Sequence, residues 1–153
     1  MATDLKSKAF SGKGTVFSIG TSGLTPTYSA VAELKTFSFS GSKNDTEDVT
    51  NSDSAGRARE FIVTLLDAGE ISLSGNYVAS DAGQVALTAA FNSGAILPYK
   101  IQLPVAPNQT TSGDVITFIG LMVENDLNLS FDKAIAFSAK IRISGITTYT
   151  SGS

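Results

Sequence analysis

The stretch DLNLSFDKAIAFSAKIRISGITTY, residues 126–149, alternates apolar and polar side chains for longer than almost any other part of the chain. Its odd positions, Phe131, Lys133, Ile135, Phe137, Ala139, Ile141 and Ile143, are mostly apolar, and Asp132, Ser138, Lys140, Arg142 and Ser144 sit among the even ones. A period of two is that of a β-strand, whose successive side chains point to opposite faces, so the stretch predicts one long strand with one buried face. Its second face carries small hydroxyls at Ser130, Ser138 and Ser144, where an exposed strand ordinarily carries bulk and charge. What that second face looks at is the question the sequence poses.

A chain of 153 residues fits one domain, 1–153, and is long enough to bury a core without covalent staples. It contains neither cysteine nor histidine, which removes disulfides, thiolate chemistry, imidazole acid–base catalysis and Cys/His metal sites. Eleven Lys and Arg against fourteen Asp and Glu give a net charge of −3, the wrong sign for neutralising phosphates. Only 16% of residues are charged and 42% are apolar, a balance that excludes disorder and, with many Ser, Thr and Gly, points to a mainly β protein. No apolar window has secretory-signal or membrane-spanning length, so the expectation is a protein made and kept in a cytoplasm, without a membrane partner. The sequons at Asn44, Asn108 and Asn128 then read as chance matches.

Taken in order, residues 1–14 are polar and glycine-containing and read as a flexible arm. Strands are predicted over 15–19 and 28–40, the second with a bulge because the bulky residues Leu34 and Phe37 are oddly spaced. Residues 41–58, GSKNDTEDVTNSDSAGRA, hold one aliphatic residue, Val49, and read as a long polar loop leaving the domain body. An apolar strand at 60–66, a turn at Asp67–Gly69 and a strand at 70–79 follow. Asp81 and Gln84 form a capping box opening the one clear helix, 82–92, whose apolar stripe is Leu87, Ala90 and Phe91 and whose stop is Gly94. Residues 95–103 form a strand. Residues 115–124 are apolar on both faces, predicting a central buried strand that turns through Asn125 and Asp126 into the long one. Strands with one inserted helix predict a β-sandwich or barrel with a flanking helix.

Several strands share the same kind of second face: Thr36, Ser38 and Ser40; Ser72, Ser74 and Asn76; Asn128 and Ser130; Ser138 and Ser144. An ordinary solvent face is one reading. The other is a sheet bordering a water-filled channel, where short hydroxyls leave traffic unobstructed and neighbouring subunits pair the free edges into a larger ring.

The ordered set GKGTVFSIG, YSAVAELKTFSFSG, LLDAGEISLSGNY, DAGQVALTAAFNSG, ILPYKIQLP and ITFIGLMVENDLNLSFDKAIAFSAKIRISG, spanning residues 12–149, resembles the tail tube protein of long-tailed, siphovirus-type phages. The resemblance implies a structural virion protein, assembled in the host cytoplasm. It implies hexameric rings whose inner sheets join in one β-barrel, stacked around a tape-measure protein, closed by tail terminator and tail tip proteins, and conducting DNA during ejection. The polar loop, with Asn44, Asp45, Glu47, Asp48, Asp53, Arg57 and Arg59, would then reach a neighbouring subunit or ring. The lumen face would be Thr36, Ser38, Ser40, Glu70, Ser72, Ser74, Asn76, Asn128, Ser130 and Ser138, in a family whose lumen tends to be acidic. Lys140 and Arg142 fall in the same alternation class. Either they pair with Glu70, Glu124, Asp126 or Asp132, or that part of the strand lies outside the channel.

Other chemistries fit less well. The carboxylates of 45–53 lack the spacing of a calcium loop, Asp67 and Glu70 flank a turn as such residues commonly do, and no phosphate-cradling glycine motif is present. The expectation is therefore no enzyme and no cofactor. Two alternatives share the fold class: the tube protein of a contractile, type VI-like injection system, and a carbohydrate-binding β-sandwich. The second lacks aromatic platforms, with no Trp and four Tyr.

Overall fold

A computed structural model describes residue 7 and residues 9–153; the other residues of the predicted arm, 1–6 and 8, lie outside the described part. Its strands are β1 (Val16–Gly20), β2 (Tyr28–Ala30), β3 (Leu34–Ser40), β4 (Lys43–Asp48), β5 (Phe61–Asp67), β6 (Glu70–Asn76), β7 (Leu97–Gln102), β8 (Val115–Asn128) and β9 (Ala136–Thr150). One helix, α1 (Ala82–Ser93), sits between β6 and β7. Seven strands form an antiparallel sheet in the order β2-β1-β7-β8-β9-β6-β3, and among the described residues β4 and β5 pair only with each other.

The long pair β8–β9 makes this sheet two layers. One half of β8, Val115–Gly120, pairs with β7, which continues to β1 and β2. At its other end β9 pairs through Ala136–Arg142 with β6, which continues to β3. Between these halves the β8–β9 register shifts at Thr117/Ile119 and again at Met122/Glu124, and Gly145 adopts φ 83°. Each extra residue bends and twists the ladder, so the layers curl toward each other. Phe39 of β3 meets the Phe118 ring of β8 edge-on at 6.1 Å, and Phe118, Tyr99 and Phe17 stack in sequence behind it. Ile71, Leu73, Ile101, Phe137, Ala139, Ile141 and Ile143 complete the core. Burial pushes the Tyr99 hydroxyl pKa up to about 12.

The helix closes one open side with Leu87 and Ala90. Asp81 caps it by accepting from the Gln84 amide at 3.1 Å, and Gly94 ends it in the left-handed region. Only half of the expected capping box forms. The Gln84 side chain, 6% exposed, donates to Ala32 O at 3.1 Å and Asn76 O at 3.0 Å and accepts from Val78 N at 3.0 Å. It stitches the helix to both layers because those backbone groups lose water there and need a partner.

Four expectations are corrected. The predicted strand 28–40 is two strands, broken at 31–33, where Glu33 has φ 60°; the bulge at Leu34/Thr36 is present. Residues 41–58 are not all loop: Lys43–Asp48 is strand β4, paired with β5, so the polar run is one arm and the tip of a hairpin. A polar strand carries no apolar alternation to betray it, and here its partner's backbone supplies the hydrogen bonds. Finally, β8 does not turn at Asn125–Asp126 but runs to Asn128, and the turn is 129–135. Nor is β8 buried on both faces, since Ile119 and Val123 are exposed.

Replacing Gln84 with leucine keeps the side chain's bulk but strands its three backbone partners. The expected destabilisation is about 1–3 kcal/mol for each backbone group left unpaired, read from the urea unfolding midpoint. An unchanged midpoint would contradict the stitching role.

Candidate functional site

Residues directly opposite in an antiparallel ladder point to the same side of the sheet. The registers of β3, β6, β9 and the far half of β8 therefore assemble one surface, row by row. Ser40 lies opposite Glu70, and Glu70 opposite Arg142. The next row is Ser38, Ser72, Lys140 and Glu124; the next, Thr36, Ser74, Ser138 and Asp126; the last, Asn76, Ala136 and Asn128. The opposite side of the same strands carries Ile71, Leu73, Phe137, Ala139, Ile141 and Met122 into the core.

All of the expected channel-facing residues except Ser130 thus share one face. Ser130 sits in the turn 129–135, where its hydroxyl donates to Asp132 Oδ1 at 2.7 Å. Ser144 has the right parity but lies beyond the end of the β6 pairing, opposite Ile119. Glu124 and Asp126 complete the surface. Reading β8 as ending at Glu124 hid Asp126, and the bulge at Val123 hid the parity of Glu124. The Thr36 and Ser74 hydroxyls share a hydrogen bond of 2.5 Å across β3 and β6.

The two cations that complicated this face are both paired. Lys140 Nζ lies 3.7 Å from Glu124 Oε2, its register partner, and Arg142 Nη2 lies 2.8 Å from Asp67 Oδ2. Arg142 thus selects the carboxylate of the β5–β6 turn, although Glu70 is directly across from it. With Glu70, Glu124 and Asp126 set against Lys140 and Arg142, the face is weakly negative.

This four-strand surface also has two open edges. Among the described residues β3 pairs only with β6, and the β8 segment Leu121–Asn128 pairs only with β9. Neither edge carries a proline to blunt it.

The second candidate site is the β4–β5 hairpin. Asn44, Asp45, Glu47 and Asp48 lie on β4, and Asp53, Arg57 and Arg59 on the tip. The tip is held locally: Asp48 Oδ1 accepts from Thr50 N at 2.9 Å, Thr50 Oγ1 accepts from Glu60 N at 2.8 Å, and Ser54 Oγ donates to Glu60 Oε2 at 2.8 Å. Among the described residues Arg57 and Arg59 form no ion pair, and no three acidic side chains gather as ligands for an ion. The sequence reading missed β5 itself as the hairpin's distinctive part. Phe61, Ile62, Val63, Leu65 and Leu66 are all about half or more exposed, at 55, 49, 62, 70 and 51%. None of these five belongs to the core, and contiguous exposed apolar surface of this kind commonly marks an interaction surface.

Residues 8–150 match the family described as lambda phage tail tube protein. No curated protein matches the chain in sequence. Among solved structures, the tail of an empty gene transfer agent particle superposes with TM-score 0.71 at 18% identity, covering 94% of this chain and all of that one. The SPP1 tail tube superposes with TM-score 0.71 at 13% identity, covering 94% of this chain and 80% of that one. A chain of the anti-feeding prophage baseplate follows with TM-score 0.69 at 9% identity, covering 96% of this chain and 98% of that one. At such identities these likenesses establish the mainly antiparallel fold. Among the described residues no helix is long and apolar enough to cross a membrane.

Three turn-closing carboxylates lie below the ordinary value of 3.8. Hydrogen bonds from the Thr50 side chain and amide lower Asp48. The Gly69 amide lowers Asp67, with the Arg142 and Lys43 charges adding. The Gly152 amide and then Gln109 lower Asp114. A depressed native pKa contributes stability above the unfolded value that is lost as pH falls through the native one. The melting temperature is therefore expected to hold down to about pH 4 and fall below it. Arg142→Gln should raise the Asp67 pKa toward 3.8 by carboxyl-carbon NMR without abolishing its depression, since the Gly69 bond remains. A melting temperature that rises on acidification below 3.8 would contradict this.

Proposed function

Because the chain belongs to the lambda phage tail tube protein family, we propose that its hydroxyl-lined four-strand sheet is the inner wall of the tube. The observation that carries this is one surface having both properties: a polar, weakly negative face and, among the described residues, an open strand edge at each side. Within the subunit β3, β6, β9 and β8 alternate in direction, so β3 of one copy set beside β8 Leu121–Asn128 of the next continues an antiparallel ladder. Repetition around an axis closes that ladder into a barrel and removes both edges. Hexameric rings, the symmetry of the gene transfer agent tail, are the closure we propose, stacked around a tape-measure protein and ended by terminator and tip proteins.

DNA then passes along Thr36, Ser38, Ser40, Glu70, Ser72, Ser74, Asn76, Asn128 and Ser138. A weakly negative wall with its cations neutralised by neighbours offers a polyanion no foothold. The protein works by assembly and not by catalysis, in keeping with a structural family. The β4–β5 hairpin crosses to a neighbouring subunit or ring and buries its apolar strand there. Tube components of an extracellular contractile injection system share the fold, but at 9% identity that likeness carries no more than the fold.

Val63→Lys/Leu65→Lys tests the hairpin's part. Both side chains are exposed in the single chain, so circular dichroism and melting temperature should stay as in the wild type. Negative-stain microscopy at high concentration should show hollow tubes for the wild type and none for the variant. Tubes of normal length from the variant would refute the hairpin's role, and a wild type that forms neither rings nor tubes would count against self-assembly.

A further inference from the structure

We infer that the turn 129–135 is a plug that seats in an apolar cleft of a second copy in the adjacent ring. The inference rests on the stacked-ring reading above. The turn joins β8 to β9 at the end of the inner-wall sheet, and its apolar side chains have no cover. Phe131 is fully exposed, at 113% of the reference area, and Leu129 is at 69%. The turn is nevertheless held in place, by the Ser130–Asp132 hydrogen bond and by Tyr77 N donating to Ile135 O at 2.8 Å. An ordered tip with its largest apolar side chain entirely in water is unfavourable unless something covers it, since burying a Phe removes roughly 150–250 Å² from water.

The matching recess lies at the far end of the same strand. Phe39, Leu66, Ala68, Ile116, Ile146 and Tyr149 line a cleft of about 510 Å³ at the base of the β4–β5 hairpin. From Ala136, beside the tip, to Ile146, in the cleft, β9 advances ten residues, on the order of 30 Å. Tip and cleft of one molecule therefore cannot meet. Head-to-tail stacking along the strand direction brings the tip of one copy to the cleft of the next. Such a contact joins two different patches, so it repeats without closing and yields an open filament. The charges allow it: Asp132 follows Phe131 at the tip, and Lys43, at the rim of the cleft, forms no ion pair among the described residues, whereas its register partner Asp67 is held by Arg142. The cleft is continuous with the hairpin through Leu66, so plug and hairpin form one stacking surface.

The chain has no cysteine, which makes a cross-link decisive. Tubes of Phe131→Cys/Ile146→Cys, oxidised with diamide and run on a non-reducing gel, should give a ladder in steps of 15.9 kDa, while each single variant stops at dimer or below. Phe131→Asp, at a position touching nothing in the subunit, should keep the melting temperature and abolish tubes. Wild-type tubes accompanied by double-variant tubes without a ladder, or by Phe131→Asp tubes of normal length, would overturn the plug and leave the tube reading standing. Failure of the wild type to form tubes would overturn the tube reading itself. Loss of tubes in the double variant with its fold intact would support the plug as Phe131→Asp does.

Discussion

The register of β8 against β9 is the constraint on which everything else depends. A one-residue slip in either strand would exchange its faces, putting Lys140 and Arg142 into the core and Phe137, Ala139 and Ile141 on the wall. What forbids the slip is the core itself: Phe137, Ala139, Ile141 and Ile143 are each less than a tenth exposed, packed with Met122, Leu73 and Ile71. The same alternation that fills the core therefore places the hydroxyls, with no separate instruction. The bulges at Thr117/Ile119 and Met122/Glu124 are the price of letting one strand pair serve two layers.

A second regularity is where apolar surface is left over. Phe61, Ile62, Val63, Leu65 and Leu66 on the hairpin, Leu129 and Phe131 on the turn, Ile146 and Tyr149 around the cleft, and Ile119 elsewhere on β8 are all exposed. Fully burying one such side chain contributes about 1.5–3 kcal/mol, and an isolated two-stranded hairpin is marginal alone. The single chain thus leaves a substantial apolar area uncovered, and in the proposed assembly its burial would couple the order of the hairpin to the presence of a neighbour.

Elements whose alternation reflects this chain's own core were legible in the sequence. The buried face of β9 follows directly from Phe137 to Ile143, and Asp81 and Gly94 mark the helix ends through local capping chemistry. What could not be read depends on something outside a local window. Strand β4 is polar throughout because neither of its faces meets the core, so period-two reasoning had nothing to detect. The apolar second face of β8 suggested burial, and in the single chain Ile119 and Val123 are uncovered. The β8–β9 turn was set too early because Asn125 and Asp126 are good turn formers, yet pairing with Ala139 and Ser138 overrides that preference. Gln84 reaches past its capping position because buried carbonyls 52 and 8 residues away in sequence have stronger need of its amide. Of the polar residues grouped by composition, the register brings those of β3, β6, β8 and Ser138 of β9 onto one face, leaves Ser130 in the turn and Ser144 beyond the β6 pairing, and adds Glu124 and Asp126.

The ion pairs on that face are better understood through charge than through stability. Exposed pairs contribute little to folding, and Lys140 and Arg142 are each nearly half exposed. Their stems nonetheless sit in the middle of the sheet, where a lone ammonium or guanidinium would attract phosphates, each such contact strengthening retention of a passing polyanion. Placing Glu124 directly across from Lys140, and Asp67 within 2.8 Å of Arg142, gives each cation a fixed local partner that a moving phosphate must displace. Hydroxyl side chains fill the remaining positions with groups that bind water and carry no charge. As the proposed inner wall, such a face would hold neither sign strongly, a property that a channel for a highly charged polymer needs more than any specific contact.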